Sequence, residues 1–214
     1  MTLRGALGAA AADFYHQSWR LLFLNAVLGA LLVAVVLAAF ASLPAVLLAA
    51  LLGPFAAALM HCAVTVAQTE ELRLVDAVTG LRRYWLRGLV LGAAVVAVGV
   101  VGAVTVRFYA HAGVWAWPLA AVSLYLLLAF ALLQLTLWPL AIFESDRPFR
   151  TVVRDAALVL LRRPTGFVGL AAALVVVNAI GFAAAVLPFL TLTISYSFLV
   201  SAHYALPTRP AREV

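Results

Sequence analysis

Four stretches of this chain each run for at least 19 residues without an aspartate, glutamate, lysine or arginine. A helix needs about 20 predominantly apolar residues to cross the hydrocarbon core of a bilayer. The stretches 21–69 and 164–206 are long enough for two crossings each, and the stretches 88–106 and 108–143 suit one crossing each. The sequence therefore predicts six transmembrane helices.

The composition points the same way. Hydrophobic residues make up 67% of the chain and charged residues 10%, and the mean hydropathy is +1.14. Soluble domains contain about 45–50% apolar residues, so a water-soluble fold would leave much of this apolar surface in water. The isoelectric point near 10.2 does not indicate a nucleic-acid partner, because the arginines fall in short clusters between apolar runs and form no continuous basic face.

Prolines divide the two longest apolar stretches. Proline interrupts the hydrogen bonds of a helix, so Pro44 and Pro188 mark turns between successive helices. The predicted fold is an all-α, polytopic membrane helix bundle of six transmembrane helices in three hairpins, forming one integral membrane domain, residues 1–214. The predicted transmembrane helices are about 21–43, 45–67, 88–106, 114–143, 167–187 and 189–206.

The arginines set the predicted orientation. All 14 basic residues are arginine, and with six crossings every arginine except Arg107 falls on the same side of the membrane. Cytoplasmic loops carry an excess of basic residues. The N- and C-termini are therefore predicted to be cytoplasmic, together with the two charged connections.

Each of the two charged connections has the pattern of an amphipathic helix, at about 70–87 and 147–163. In the first, apolar residues such as Leu74 and Val78 recur at helical spacing, and in the second Val152 and Ala156 do so. Such helices are suited to lie among lipid headgroups. The arginine pairs at their ends are expected to contact anionic headgroups: Arg82, Arg83, Arg162 and Arg163.

The predicted spans lack the usual groups of transport and catalysis. They contain no aspartate, glutamate, lysine or arginine, the usual marks of ion-coupled pumps, and the chain has no P-loop and no His-Glu-x-x-His pair. Cys62 has no partner cysteine, which excludes an intrachain disulfide. The sequence therefore favours a noncatalytic protein without a cofactor or metal.

Two histidines lie near the predicted cytoplasmic ends of the second and sixth helices, His61 and His203. Hydrogen bonding at the interface is the simpler role for them. If the two helices are neighbours, the pair is instead placed to bind a metal or an anionic headgroup, as an enzyme acting on lipid headgroups would need.

Uncharged polar residues inside the predicted spans have two interpretations. Asn25, Gln134 and Asn178 are costly in lipid and are expected to face protein or a wet cavity. Thr193, Ser197 and Ser201 recur every four residues on the last helix. Such groups either hold helices together or line a polar path, and helix-to-helix hydrogen bonding is favoured.

Several segments resemble the YesL-like family of bacterial membrane proteins, whose domain has no assigned function. The similar segments are Trp19–Asn25, Gly53–Leu59, Trp138–Leu140 and Asp155–Pro164, and Leu52 stands where the family usually has threonine. The resemblance implies an inner-membrane protein. It also implies an accessory role in carbohydrate uptake and utilisation, because family members tend to be encoded beside such systems, and it carries over no catalytic residue.

Two functional hypotheses follow from these observations. The first is a noncatalytic accessory protein that contacts a membrane transport complex, or a second copy of itself, through its helices. The alternative is a transporter of small solutes such as sugars, with a path lined by the uncharged polar residues named above.

Overall fold

A computed structural model describes residues 2–69, 71–184 and 192–206. These residues are helical almost throughout and contain no strand. The helices are α1 (Leu3–His16), α2 (Ser18–Ala41), α3 (Leu52–Thr69), α4 (Leu74–His111), α5 (Trp117–Phe143), α6 (Phe149–Arg162), α7 (Pro164–Ala184) and α8 (Ile194–Ala205), with 3-10 segments at Leu43–Leu51 and Val114–Ala116.

Five helical segments of the described chain are long and apolar enough to cross a membrane. They are Ser18–Phe40, Val46–Thr69, Leu74–His111, Val114–Phe143 and Pro164–Ala183. The prediction of an all-helical, multi-pass membrane protein is confirmed at this level. The predicted sixth span, 189–206, begins outside the described residues. Pro188 and the tail arginines, Arg209 and Arg212, also lie outside them.

The first amphipathic helix and the third span form one continuous element, α4, instead of the two predicted. Helix α4 begins after Arg73, whose backbone N–H donates to Asp76 Oδ2 at 2.8 Å. No proline follows before His111, so the hydrogen-bond ladder continues from the amphipathic part into the apolar part. The face that contains Gly80 packs on α3, while Leu74 and Val78, which the helical spacing grouped as its apolar face, are exposed.

Two further elements differ from the predictions. The second apolar run begins as the 3-10 segment Leu43–Leu51 and becomes α-helical only at Leu52. Near the N-terminus the structure has a further helix of 14 residues, α1, for which the sequence patterns give no bounds. By contrast, α6 lies within the predicted helix at 147–163, and the side chains expected on its apolar face, Val152 and Ala156, are fully buried.

Side-chain to backbone hydrogen bonds join the arginine-bearing ends of several helices. At the start of α2, Arg20 donates from Nη1 to Gln17 Oε1 at 3.0 Å and to the carbonyl oxygen of Leu72. On α4, Arg87 donates to the carbonyl oxygens of Ala141 at 2.8 Å and Arg147 at 2.7 Å. We call this side of the molecule the arginine-rich end.

The protein core lies toward the arginine-rich end. Over residues 18–40 of α2, all the buried residues lie between Leu21 and Gly29. Those of α4 lie between Gly80 and Gly92, and those of α5 lie between Thr136 and Ile142. Between residues 93 and 135, by contrast, Ala116 alone is buried. The far halves of α4 and α5, residues 93–111 and 117–135, therefore have no buried side chain and expose much of their apolar surface.

Helices α3 and α4 meet at backbone contact distance. A Cβ atom added to Gly88 would lie 2.7 Å from the carbonyl oxygen of Gly53 and 2.7 Å from Pro54 Cα. One added to Gly92 would lie 2.7 Å from the carbonyl oxygen of Ala50. Small residues permit such close approach of membrane helices, where packing rather than burial from water drives association.

Candidate functional site

Asn178 of α7 and two serines of α8 form one hydrogen-bonded set. Asn178 Nδ2 donates to the carbonyl oxygen of Leu174 at 2.7 Å and to Ser197 Oγ at 2.9 Å. Ser197 donates to the carbonyl oxygen of Thr193 at 2.7 Å, and Ser201 donates to that of Ser197 at 2.8 Å. Asn178 and Ser197 thus bond α7 to α8, which is the role favoured from the sequence.

A cavity of about 410 Å³ lies beside this hydrogen-bonded set. Residues from α3, α4, α5, α7 and α8 line it, and most of them are apolar, such as Ala56, Val96 and Trp138. The polar residues on its wall are Gln134, Ser197 and Ser201. Its volume falls within the range of small-molecule sites in proteins, about 300–1,000 Å³.

Gln134 is a lining residue whose buried side-chain oxygen has no hydrogen-bond partner. Its Oε1 is buried, and the side-chain amide makes no hydrogen bond with another described residue. A buried polar group without a partner is costly, and more so at membrane depth, where water is scarce. Gln134 is therefore the residue of this cavity that most needs a ligand or another partner.

Asn25 is a second amide without a described partner, but it lies elsewhere. Its side chain on α2 is fully buried, and neither Oδ1 nor Nδ2 bonds to another described residue. It is not among the residues that line the cavity. Ser195 Oγ donates nearby, to the carbonyl oxygen of Leu21 at 3.3 Å, one helical turn earlier. The polar residues singled out from the sequence thus do not converge on one path.

The two histidines have separate partners. The His61 ring packs against that of Tyr84, with 5.2 Å between ring centroids, and lies over Gly80. His203 Nε2 lies 2.9 Å from Asp13 Oδ2, which links α8 to α1. Among the described residues, no group of three or more histidine, cysteine, aspartate or glutamate side chains is placed to hold a metal ion.

The arginines expected to bind headgroups differ in their surroundings. Arg83 donates to Ser145 Oγ at 3.1 Å and lies 3.5 Å from Asp146 Oδ1. The side chains of Arg82, Arg162 and Arg163 are exposed and make no hydrogen bond or ion pair with other described residues. These three guanidinium groups are therefore free to contact an anionic surface.

Sequence reasoning missed three polar side chains that organise the arginine-rich end. Arg20 and Arg87 were counted as cytoplasmic charges, but their guanidinium groups bind backbone carbonyls. Asp13 pairs with His203. The only signal for Asp13 was an isolated acid within an otherwise uncharged segment, 5–19, since its partner lies 190 residues away.

No protein family model, no curated protein and no solved structure matches this chain.

Proposed function

We propose that this chain is a noncatalytic protein of the bacterial inner membrane that assists carbohydrate uptake by contacting a membrane subunit of the uptake system. In this proposal six helices cross the membrane as three hairpins, and α8 belongs to the sixth. Both termini and the arginine-rich end are cytoplasmic. Arg82, Arg162 and Arg163 contact anionic headgroups there.

The observation that carries the partner contact is the exposure of the far halves of α4 and α5. Apolar side chains such as Val104, 63% exposed, and Tyr125, 71% exposed, cover this region. A Cβ atom added to Gly99 of α4 would meet nothing within 4 Å, so the surface also has space beside the helix backbone. Small residues at such positions favour close approach of another helix.

The position of the family-like segments supports a YesL-like assignment, on which the link to carbohydrates rests. Gly53 and Pro54 lie at the closest contact between α3 and α4. Trp138, Pro139 and Leu140 are buried near the end of α5. The run from Asp155 to Pro164 forms the end of α6 and the first residue of α7. The first two of these segments therefore have packing roles that would limit their variation.

Site-specific photocrosslinking in native membranes tests the partner contact. With p-benzoylphenylalanine in place of Val104 or Tyr125, we expect one discrete crosslinked product, which mass spectrometry identifies as a membrane subunit of a carbohydrate-uptake system. The matched control is Val175 on α7, which is 67% exposed and apolar but lies outside the α4–α5 region.

Lipid covers an apolar helix as readily as protein does, so the comparison between positions decides the result. Products at Val104 and Tyr125 but not at Val175 support the proposal. Crosslinks to lipid alone at all three positions contradict it. Crosslinks between two copies of the chain also contradict it, because they assign this surface to self-association.

A sugar transporter is the second candidate, and one observation favours it: Gln134, Ser197 and Ser201 lie on the wall of one cavity. Proteoliposomes offered labelled monosaccharides would then accumulate them, and Gln134→Leu would abolish the uptake. Lack of uptake by the unaltered protein rules this candidate out.

A further inference from the structure

The cavity beside Gln134 combines an apolar wall with a side-chain amide that has no described partner. We propose that it binds a small uncharged amphiphile, with a hydrocarbon body and one hydroxyl group that bonds to the Gln134 amide. The inference does not depend on the partner proposed above, because it concerns the cavity beside Gln134 and not the exposed surface around Val104 and Tyr125.

The depth of the site favours a ligand that enters from the bilayer. Gln134 lies nine residues before Phe143, the end of α5. At about 1.5 Å per residue this is about 14 Å along the helix, close to the middle of a hydrocarbon core about 30 Å thick. Molecules that partition into the hydrocarbon are concentrated at this depth, whereas ionic solutes are excluded.

The wall of the cavity limits the ligand to one with few polar groups. Apolar residues such as Ala56, Met60 and Leu174 form most of the surface, and no residue of the wall is ionisable. Ser197 and Ser201 already donate to backbone carbonyls. A sugar would therefore bury several hydroxyls without partners, which is unfavourable, while one hydroxyl finds a partner in Gln134.

The volume sets the size of the ligand. A water molecule in the liquid occupies about 30 Å³, so about 410 Å³ holds a molecule of about 13 non-hydrogen atoms. A ten-carbon alcohol, with 11 such atoms, fits within this limit. A two-chain phospholipid is several times too large to enter whole.

Photolabelling with matched probes tests the inference. The protein is reconstituted in phosphatidylcholine nanodiscs with 1-decanol or n-decane, each bearing a diazirine on the same carbon, and labelled residues are located by mass spectrometry. We expect the alcohol probe to label cavity residues such as Val96, and excess 1-decanol to prevent it. The alkane probe should label these residues about five- to tenfold less, the factor supplied by one ordinary hydrogen bond.

Three variants separate the hydrogen bond from the cavity itself. Gln134→Leu is expected to reduce labelling by the alcohol to the level of the alkane, and Ala56→Trp to abolish labelling by filling the space. Ser123→Ala should change nothing, because Ser123 lines a different groove, between α4 and α5, and its hydroxyl already donates to the carbonyl oxygen of Leu119 at 2.8 Å.

Several outcomes would overturn the inference. Equal labelling by the alcohol and the alkane in the unaltered protein removes the role of the hydroxyl. Unchanged labelling in a folded Gln134→Leu variant removes the role of the amide. Label spread evenly over lipid-facing residues such as Val175 means partition into the bilayer without a site. If Ala56→Trp does not fold, two comparisons still decide the result: the alcohol probe against the alkane probe, and Gln134→Leu against the unaltered protein.

Discussion

Gly88→Ala is expected to destabilise the protein by about 3 kcal/mol, the upper part of the usual range for overpacking a tight contact. The added methyl group would lie 2.7 Å from the carbonyl oxygen of Gly53 and 2.7 Å from Pro54 Cα. Both are backbone atoms, which cannot move aside as a flexible side chain does. Helices α3 and α4 would have to separate, and the core near Leu91 and Tyr84 would lose its packing.

Thermal unfolding of the purified variants in the same detergent measures this effect. The control is Gly99→Ala, the same substitution in the same helix, where the new Cβ atom meets nothing within 4 Å. Alanine also favours helix more than glycine does, so Gly99→Ala should match or slightly exceed the stability of the unaltered protein. Equal melting temperatures for the two variants would mean that α3 and α4 do not approach as closely as described.

Arg87→Met is expected to destabilise the protein by about 2–3 kcal/mol, the value of one or two hydrogen bonds from a charged donor, because the contacts are only partly buried and water replaces part of them. The guanidinium of Arg87 donates to the carbonyl oxygens of Ala141, Glu144 and Arg147 at 2.8, 3.3 and 2.7 Å. These carbonyls belong to the end of α5 and to the turn that follows it. Methionine retains an unbranched apolar stem but leaves all three carbonyls without this donor.

The control for Arg87→Met is Arg82→Met, which removes the same charge from an exposed side chain without a described partner. Arg87→Lys should lie between them, since an ammonium group cannot match the fork of a guanidinium. Chemical denaturation in detergent, monitored by tryptophan fluorescence, gives the three free energies of unfolding. If Arg82→Met is as damaging as Arg87→Met, the effect comes from charge and not from the carbonyl contacts.

The all-helical, multi-pass character was predictable because it depends on local composition. A run of about 20 apolar residues without charge predicts a membrane-spanning helix wherever it lies in the chain. The amphipathic period of α6 predicted Val152 and Ala156 on its apolar face, and both are fully buried within the protein. These features need only neighbours within a few residues.

The arrangement of side chains at the arginine-rich end was not predictable in the same way. Arg87 acts through backbone carbonyls more than 50 residues away, and Asp13 through His203 at a separation of 190 residues. A positive charge that attracts headgroups and one that binds carbonyls look identical in a sequence. The charge patterns alone therefore indicate only that Arg20 and Arg87 are cytoplasmic, not that they bind carbonyls.

The candidate site was predicted in part. Asn178 and Ser197 form the inter-helix hydrogen bond that the spacing of polar residues favoured. Gln134 and Asn25 were grouped with them by polarity, yet only Gln134 lies on the cavity wall, and Asn25 is buried in α2 away from it. Which face of a helix meets which neighbour depends on tertiary packing, and an isolated polar residue carries no signal for it.

The direction of the chain across the membrane tests the account most directly, because the arginine-rich end must be cytoplasmic for it to hold. In a Cys62→Ala background, one cysteine replaces either His111, at the end of α4, or Asp146, whose side chain is 95% exposed between α5 and α6. A membrane-impermeant maleimide should label the cysteine at position 111 in intact spheroplasts, and the cysteine at position 146 only in inverted vesicles. The opposite pattern, or labelling of both positions from one side, would contradict the account.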